Sequence, residues 1–204
     1  GLGYGSDPNT FARYWSGSSH RVHVIGKDIL RFHAVYWPTM LLSAGLTLPT
    51  TLLVHGFLTV GGRKISKSLG HAPDPLPYIE RYGADAVRYY LLRTIPTGAD
   101  GDFSEPRLQE VYTADLAHGI GNLVRRLETL CERSGYGVRG APAPVLPDSL
   151  AEFTESYRFH DALRVVWDHI RDLNRKIESG RPWDLLREGD AESLCHRLSA
   201  WVTG

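Results

Sequence analysis

The chain has 204 residues, 42% of them hydrophobic and 23% charged, an ordinary globular composition with room for one large domain or two small ones. Lys plus Arg equals Asp plus Glu at 23 each, so net charge selects no partner, and a nucleic-acid binder would need a local basic face. No apolar run approaches the ~20 residues of a membrane span, and Cys131 and Cys195 stand alone, without a CxxC pair to signal a zinc knuckle or a disulfide framework.

Residues 1–20, rich in Gly, Ser, Asn and aromatics, read as an irregular lead-in. Val22-His-Val-Ile25 is a β-branched run ended by Gly26 and predicts a strand. From Lys27 to Ala44 the apolar residues Ile29, Phe32, Tyr36 and Met40 predict a helix with a stop at Gly45 and a kink at Pro38. Thr51-Leu-Leu-Val54 predicts a second strand, and Phe57–Val60 before Gly61-Gly62 a hairpin arm. Strand, helix, strand is a parallel crossover unit.

After Pro77 the pattern is helical. Asp85–Arg93 is one short helix. From Glu105 to Glu132, Leu108, Val111, Leu116, Leu123, Leu127 and Leu130 keep helical spacing. Gly119 and Gly121 interrupt it, each at a cost of roughly 1 kcal/mol against Ala, which points to a bend or a close helix crossing. Gly135–Pro147 reads as a linker. Leu150–Glu178 predicts a second long amphipathic helix, and Pro182-Trp183 opens a last helical stretch. The expected architecture is α/β plus all-α, divided into a lead-in (1–20), half of a parallel-sheet domain (21–104) and part of a helical bundle (105–204).

Four groups of residues carry possible chemistry. Lys64-Ile-Ser-Lys-Ser68 follows the glycine-rich hairpin. Lys64 and Lys67 on a polar loop suit closure over a triphosphate, with the Ser66 and Ser68 hydroxyls as further donors; a solvated basic turn is the alternative. Ile29, His33 and Trp37 share one helix face, either as a pocket wall or as plain core. Asp28 after the first strand can accept hydroxyl protons or simply cap the helix. In the helical part Asn122 and Arg126 lie four apart, on one face.

The run His55-Gly-Phe-Leu-Thr-Val-Gly-Gly-Arg-Lys-Ile-Ser-Lys-Ser-Leu-Gly70 resembles the KMSKS region of class I aminoacyl-tRNA synthetases, with Ile65 in place of the usual Met. Val24-Ile-Gly-Lys-Asp-Ile-Leu-Arg-Phe-His-Ala-Val-Tyr-Trp-Pro38, Arg81-Tyr-Gly-Ala-Asp-Ala-Val-Arg-Tyr-Tyr-Leu-Leu-Arg93 and Gly101-Asp-Phe-Ser104 are similar to the methionyl-tRNA synthetases in particular. The resemblance implies the second half of a Rossmann-type nucleotide-binding domain followed by an incomplete anticodon-binding bundle. It implies a methionine–tRNA ligase that uses ATP with Mg2+, with methionine and tRNA-Met as partners. Lys64, Ser66, Lys67 and Ser68 would be catalytic. Gly26, Asp28, His55 and Leu58 would bind ATP, and Asp28 its ribose. Ile29, His33 and Trp37 would wall the methionine pocket, where a polarizable thioether packs well on aromatic edges. Asn122, Arg126 and Trp183 would read the CAU anticodon by hydrogen bonds and stacking. Arg125, Arg133 and Arg139 add positive charge that Glu128 and Glu132 offset, and stand as candidates for phosphate contacts.

Met40 is the only methionine, so Gly1 is not expected to be a native start. The family's HIGH motif and zinc-bearing insertion lie upstream of the matching region, and the chain has no His-x-Gly-His and no zinc ligand set. The expectation is a portion inactive alone, with an exposed sheet edge and apolar face that another chain or self-association would cover. The alternative is a non-catalytic paralogue that binds tRNA or nucleotide. Unpaired cysteines without a signal peptide predict a cytoplasmic protein outside any membrane.

Overall fold

The computed structural model describes residues 3–65, 74–137 and 147–203. The chain forms two compact units, Gly1–His71 with Thr97–Asp102, and Ala72–Pro96 with Phe103–Gly204.

In the first unit, β1 (Val22–Gly26) and β2 (Thr51–His55) run parallel, with Gly26 opposite His55 at their carboxyl ends. Residues 27–43 between them are helical throughout, as the apolar spacing predicts. The kink at Pro38 takes the form of a wide π-turn over Phe32–Tyr36, closed by the Trp37 N–H on the Phe32 carbonyl. Proline brings no N–H for the carbonyl four residues back, and the widened turn just before it absorbs the mismatch.

β3 (Leu58–Val60) and β4 (Arg63–Lys64) make the expected hairpin across Gly61-Gly62. A strand that the sequence does not announce, β5 (Gly101–Asp102), lies parallel to β3. The Asp102 carboxylate accepts from the Thr59 hydroxyl at 2.6 Å and the Gly62 N–H at 2.9 Å, and so pins the hairpin turn. Gly56 lets this segment pass: a Cβ there would sit 2.0 Å from the Ala99 carbonyl oxygen.

The lead-in is not irregular. Asp7 caps a helix over Pro8–Phe11, its carboxylate accepting from the Asn9 and Thr10 amides at 3.1 Å, and helical turns continue to Ser16. They bury Trp15, whose indole N–H donates to the Thr47 carbonyl at 3.1 Å.

In the second unit, helices Leu76–Tyr82 and Ala84–Thr94 meet at Gly83, whose φ of +86° only glycine adopts freely. The compact units do not divide at residue 104. Tyr90 is buried edge-on against Phe103, with ring centroids 5.7 Å apart, and its hydroxyl accepts the Ser104 N–H at 3.1 Å. That packing draws residues 74–96 to the helices.

Glu105–Val111, a π-wound stretch Tyr112–Gly121 and Asn122–Ser134 form the continuous helical run that the spacing predicts. Gly119 marks the predicted close crossing: a Cβ there would meet the Trp167 ring at 2.9 Å. The second long helix, by contrast, is two, Asp148–Glu155 and Phe159–Gly180, packed on each other. The chain turns at Tyr157, φ +59°, with the Arg158 N–H on the Phe153 carbonyl at 2.7 Å. Apolar spacing runs on through this turn, so periodicity could not reveal it. The last stretch is also two helices, Pro182–Glu188 and Ala191–Thr203, parted by Gly189. Leu123, Leu130, Trp167, Ile177, Leu194 and Leu198 anchor the shared core.

Two glycine substitutions rank by what they meet. Gly119→Ala pushes on a side-chain ring and is expected to destabilise by about 1–3 kcal/mol. Gly56→Ala meets backbone, which cannot rotate away, and is expected to cost more than Gly119→Ala. Urea denaturation followed by circular dichroism checks both, and the reverse order would contradict the account.

Candidate functional site

The carboxyl ends of β1 and β2 bring Gly26, Asp28 and His55 together. The Asp28 Oδ1 is so close that a Cβ on Gly26 would lie 2.8 Å from it, while the His55 ring edge would lie 3.9 Å away. Asp28 also accepts from Lys64 Nζ at 3.1 Å. The hairpin thus returns Lys64 to the strand ends, across 36 residues of sequence. This hydrogen bond is the main reason that the Asp28 carboxyl is held below the usual carboxylate range. Both partners are about half exposed, so their attraction is screened by water and salt.

Phe57 organises two ammonium groups. Lys64 Nζ lies 3.7 Å and Lys27 Nζ 4.5 Å from its ring centroid. Lys27 also binds both oxygens of Asp100 at 2.7 Å, and Asp100 accepts the Phe57 N–H at 2.7 Å. The Lys27 hydrogen bond, then the Phe57 amide, hold the Asp100 carboxyl low. The His55 Nδ1 lies 2.8 Å from the Gly56 carbonyl oxygen, and the Leu58 carbonyl accepts the Ile65 N–H at 3.2 Å. Ser66, Lys67 and Ser68 lie outside the described residues. Asp100, Phe57 and Lys27 are contributors that the sequence reading missed, because their meeting depends on the return of β5.

Along the crossover helix, His33 and Trp37 line an open apolar hollow of about 610 Å³ with His23, Phe32, Tyr36 and Met40. Ile29 is not among the lining residues; its carbonyl oxygen lies 3.0 Å from His33 Nδ1. The rings of His23 and His33 meet edge to face, 6.2 Å between centroids, and Trp37 packs similarly on Trp15. Burial first, and then the neighbouring His33, push the His23 pKa down. The downward shift favours the uncharged imidazole, which suits an apolar wall. The strand position of His23, two residues into β1, gave no sign of this role.

In the helical unit, Asn122, Arg126 and Trp183 share a second open hollow of about 510 Å³, together with Asn174 from the helix Phe159–Gly180. The Arg126 guanidinium binds Glu178 at 2.8 Å and lies 5.7 Å from the Trp183 ring centroid. Trp183 is 38% exposed, so its side chain is only partly covered by the helices around it. Asn122 and Arg126 come from the helix Asn122–Ser134, and Trp183 from the first turn of Pro182–Glu188. Among the described residues, no group of three or more His, Cys, Asp and Glu is placed to hold a metal ion, and no helix is long and apolar enough to cross a membrane.

Known proteins resemble this chain along most of its length. The family model described as tRNA synthetases class I (M) matches residues 3–128. The methionine–tRNA ligase of Thermotoga maritima is 41% identical over 95% of this chain, which covers 32% of that protein. That of Synechocystis is 41% identical over 91% of the chain, covering 37% of the relative. The chain thus spans about a third of the length of the curated relatives it matches. Among solved structures, the Mycobacterium tuberculosis methionyl-tRNA synthetase in complex with methionyl-adenylate superposes with a TM-score of 0.81 at 35% identity, over 94% of this chain and 40% of that one.

The Lys64–Asp28 contact has a direct readout. In Lys64→Gln the Asp28 carboxyl loses its first cause of depression, and its titration midpoint, followed by NMR, is expected to rise toward the ordinary carboxylate value. The depressed folded-state pKa means that the contact stabilises above the unfolded-state pKa and is lost as pH falls through the folded-state value. An unchanged midpoint in the variant would contradict the pairing.

Proposed function

The chain belongs to the methionyl-tRNA synthetases within the class I tRNA synthetases, and on that footing we propose that it serves a methionine–tRNA ligase. That enzyme activates methionine with ATP and passes it to tRNA-Met. The observation that carries the reading is the convergence of Gly26, Asp28, His55 and Lys64 at the carboxyl ends of two parallel strands. Ligands of open parallel sheets bind outside such strand ends.

In this reading Gly26 leaves room for the nucleotide, Asp28 accepts from its ribose hydroxyls, and His55 and Leu58 flank the adenine. Lys64, with Lys67, Ser66 and Ser68, neutralises charge that develops on the phosphates in the transition state. Mg2+ enters with ATP as part of the substrate. His33 and Trp37 wall the methionine side chain, and Ile29 supports His33 through its carbonyl. The M. tuberculosis methionyl-tRNA synthetase is solved in complex with methionyl-adenylate, a compound that would occupy the nucleotide and methionine parts of this site together. The work would be done in the cytoplasm.

Asn122, Arg126 and Trp183 then read the anticodon. An unstacked loop base can lie on the partly exposed indole while Arg126 and Asn122 reach its edge. A binding module without catalysis would keep this second activity and lack the first.

Two measurements test the reading. In the natural gene product that contains this chain, Lys64→Ala is expected to lower methionine-dependent pyrophosphate exchange by about a hundredfold or more, the scale of a lost transition-state donor. Exchange that is unaffected would remove Lys64 from the chemistry. Trp183→Ala is expected to weaken binding of an RNA stem-loop carrying CAU by roughly 5–150-fold, the loss of about 1–3 kcal/mol of stacking; fluorescence anisotropy reads it, and wild-type affinity in the variant would refute the stacking role.

A further inference from the structure

The hollow around Trp183 has an electrostatic asymmetry that base reading does not use. Two guanidiniums on its wall, Arg125 and Arg133, have no acceptor among the described residues. Every other arginine described in this unit has one. Arg81 pairs with Glu105, Arg107 with Glu110, Arg158 and Arg164 with Asp161. Arg181 and Arg187 share Asp184, and Arg197 donates to the Gly180 carbonyl. Arg126 in the hollow itself is held by Glu178. The sequence does not withhold partners from the two exceptions. Glu128 stands three residues after Arg125, the spacing at which Arg107, Arg158 and Arg181 find their carboxylates, and Glu132 is next to Arg133. Neither glutamate lines the hollow, whose wall carries no carboxylate.

At 3.6 residues per turn, positions 122, 125, 126, 129 and 133 fall within about 100° of one face; 128 lies about 60° beyond the Arg125 edge of that face and 132 about 20° beyond it. Arg125 and Arg133 lie eight residues apart, so about 12 Å along the axis. Along the helix they flank Arg126, whose guanidinium lies 5.7 Å from the Trp183 ring centroid, with two positive charges that no described residue pairs.

Resting on the anticodon-loop reading of this hollow, we propose that Arg125 and Arg133 bind the RNA backbone, each neutralising a phosphate on one side of the base that stacks on Trp183. Phosphate contacts fix register and orientation, and base contacts specify. Trp183, Asn122 and Arg126 would do the second job and the two free guanidiniums the first.

The test is the salt dependence of binding by the 204-residue chain of a fluorescein-labelled stem-loop RNA with a CAU loop. Each neutralised single-strand phosphate contributes about 0.7 to the slope of log K against log salt. Arg125→Gln with Arg133→Gln is expected to flatten the slope by about 1.4, which removes about sevenfold of the affinity loss between 50 and 200 mM salt. Arg125→Lys with Arg133→Lys keeps the slope. Trp183→Ala weakens binding at all salt concentrations and leaves the slope as in the wild type. A double Gln variant that binds with the wild-type slope overturns the phosphate role while the anticodon reading stands. A wild-type chain that binds no RNA overturns both. Equal binding of an acidic peptide, lost in the double Gln variant, would assign the arginines to a protein partner and overturn the proposal.

Discussion

The passage of Ala99 against Gly56 is the constraint on which the first unit depends. It brings a six-residue segment back to the sheet, and that segment supplies three fixtures. Gly101 donates its N–H to the Phe57 carbonyl at 2.9 Å and joins β5 to β3. Asp100 grips Lys27 and the Phe57 amide, which orients the ring that both lysines approach. Asp102 pins the Gly61-Gly62 turn and so the direction from which Lys64 reaches Asp28. None of these is a large energy, since the charged partners are exposed. Together they define where one ammonium group stands. A side chain at Gly56 removes the premise of all three.

The crossover unit was legible because its signals are local. A β-branched run ending in glycine, a helical spacing and a second apolar run specify strand, helix and strand, and right-handed parallel connection follows from the chain's chirality. The hairpin was legible from its two glycines. What escaped is non-local or too short. β5 has two residues and forms only because Gly56 admits it. The helix over residues 8–16 hid behind Gly and Ser on both sides, though Asp7 before Pro8 is a start signal that could have been read. The turn at Tyr157 hid inside an unbroken apolar pattern, since a left-handed tyrosine has no signature as plain as a left-handed glycine. For the site, helix spacing grouped Asn122 with Arg126 and His33 with Trp37. It also set Ile29 beside them, and here the helix is not uniform: a three-residue tight turn at Lys27–Ile29 and the π-turn that follows shift the faces that ideal spacing predicts, so Ile29 does not line the hollow that His33 and Trp37 share.

The hydrophobic balance of the first unit sets its apolar hollow apart. Phe32 and Met40 are both more than half exposed, as are Val24 and Leu42 nearby. Apolar side chains at this density on one helix and one strand favour any contact that dries them, at roughly 25 cal/mol for each Å² covered. The same exposure makes the hollow receptive to an apolar side chain such as a thioether, while Trp37 and His23 give its floor a fixed shape.

In both candidate sites the groups proposed to meet a charged or polar ligand are occupied by one another. Asp28 holds Lys64, and Glu178 holds Arg126. A nucleotide that needs Asp28 for its ribose and Lys64 for its phosphates must part the first pair, and a base that needs the Arg126 guanidinium must share it with Glu178. Exposed pairs of this kind are worth about 0–1 kcal/mol, so the exchange costs little. It also has a benefit: each long side chain is already confined near its working position, which reduces the rotamer entropy still to be lost on binding. The pairs are then weak holders, strong enough to store Lys64 and Arg126 in the site and weak enough to release them to a partner that offers more hydrogen bonds. Arg125 and Arg133 differ in having no such holder, which suits a contact made first, at longer range and through charge alone.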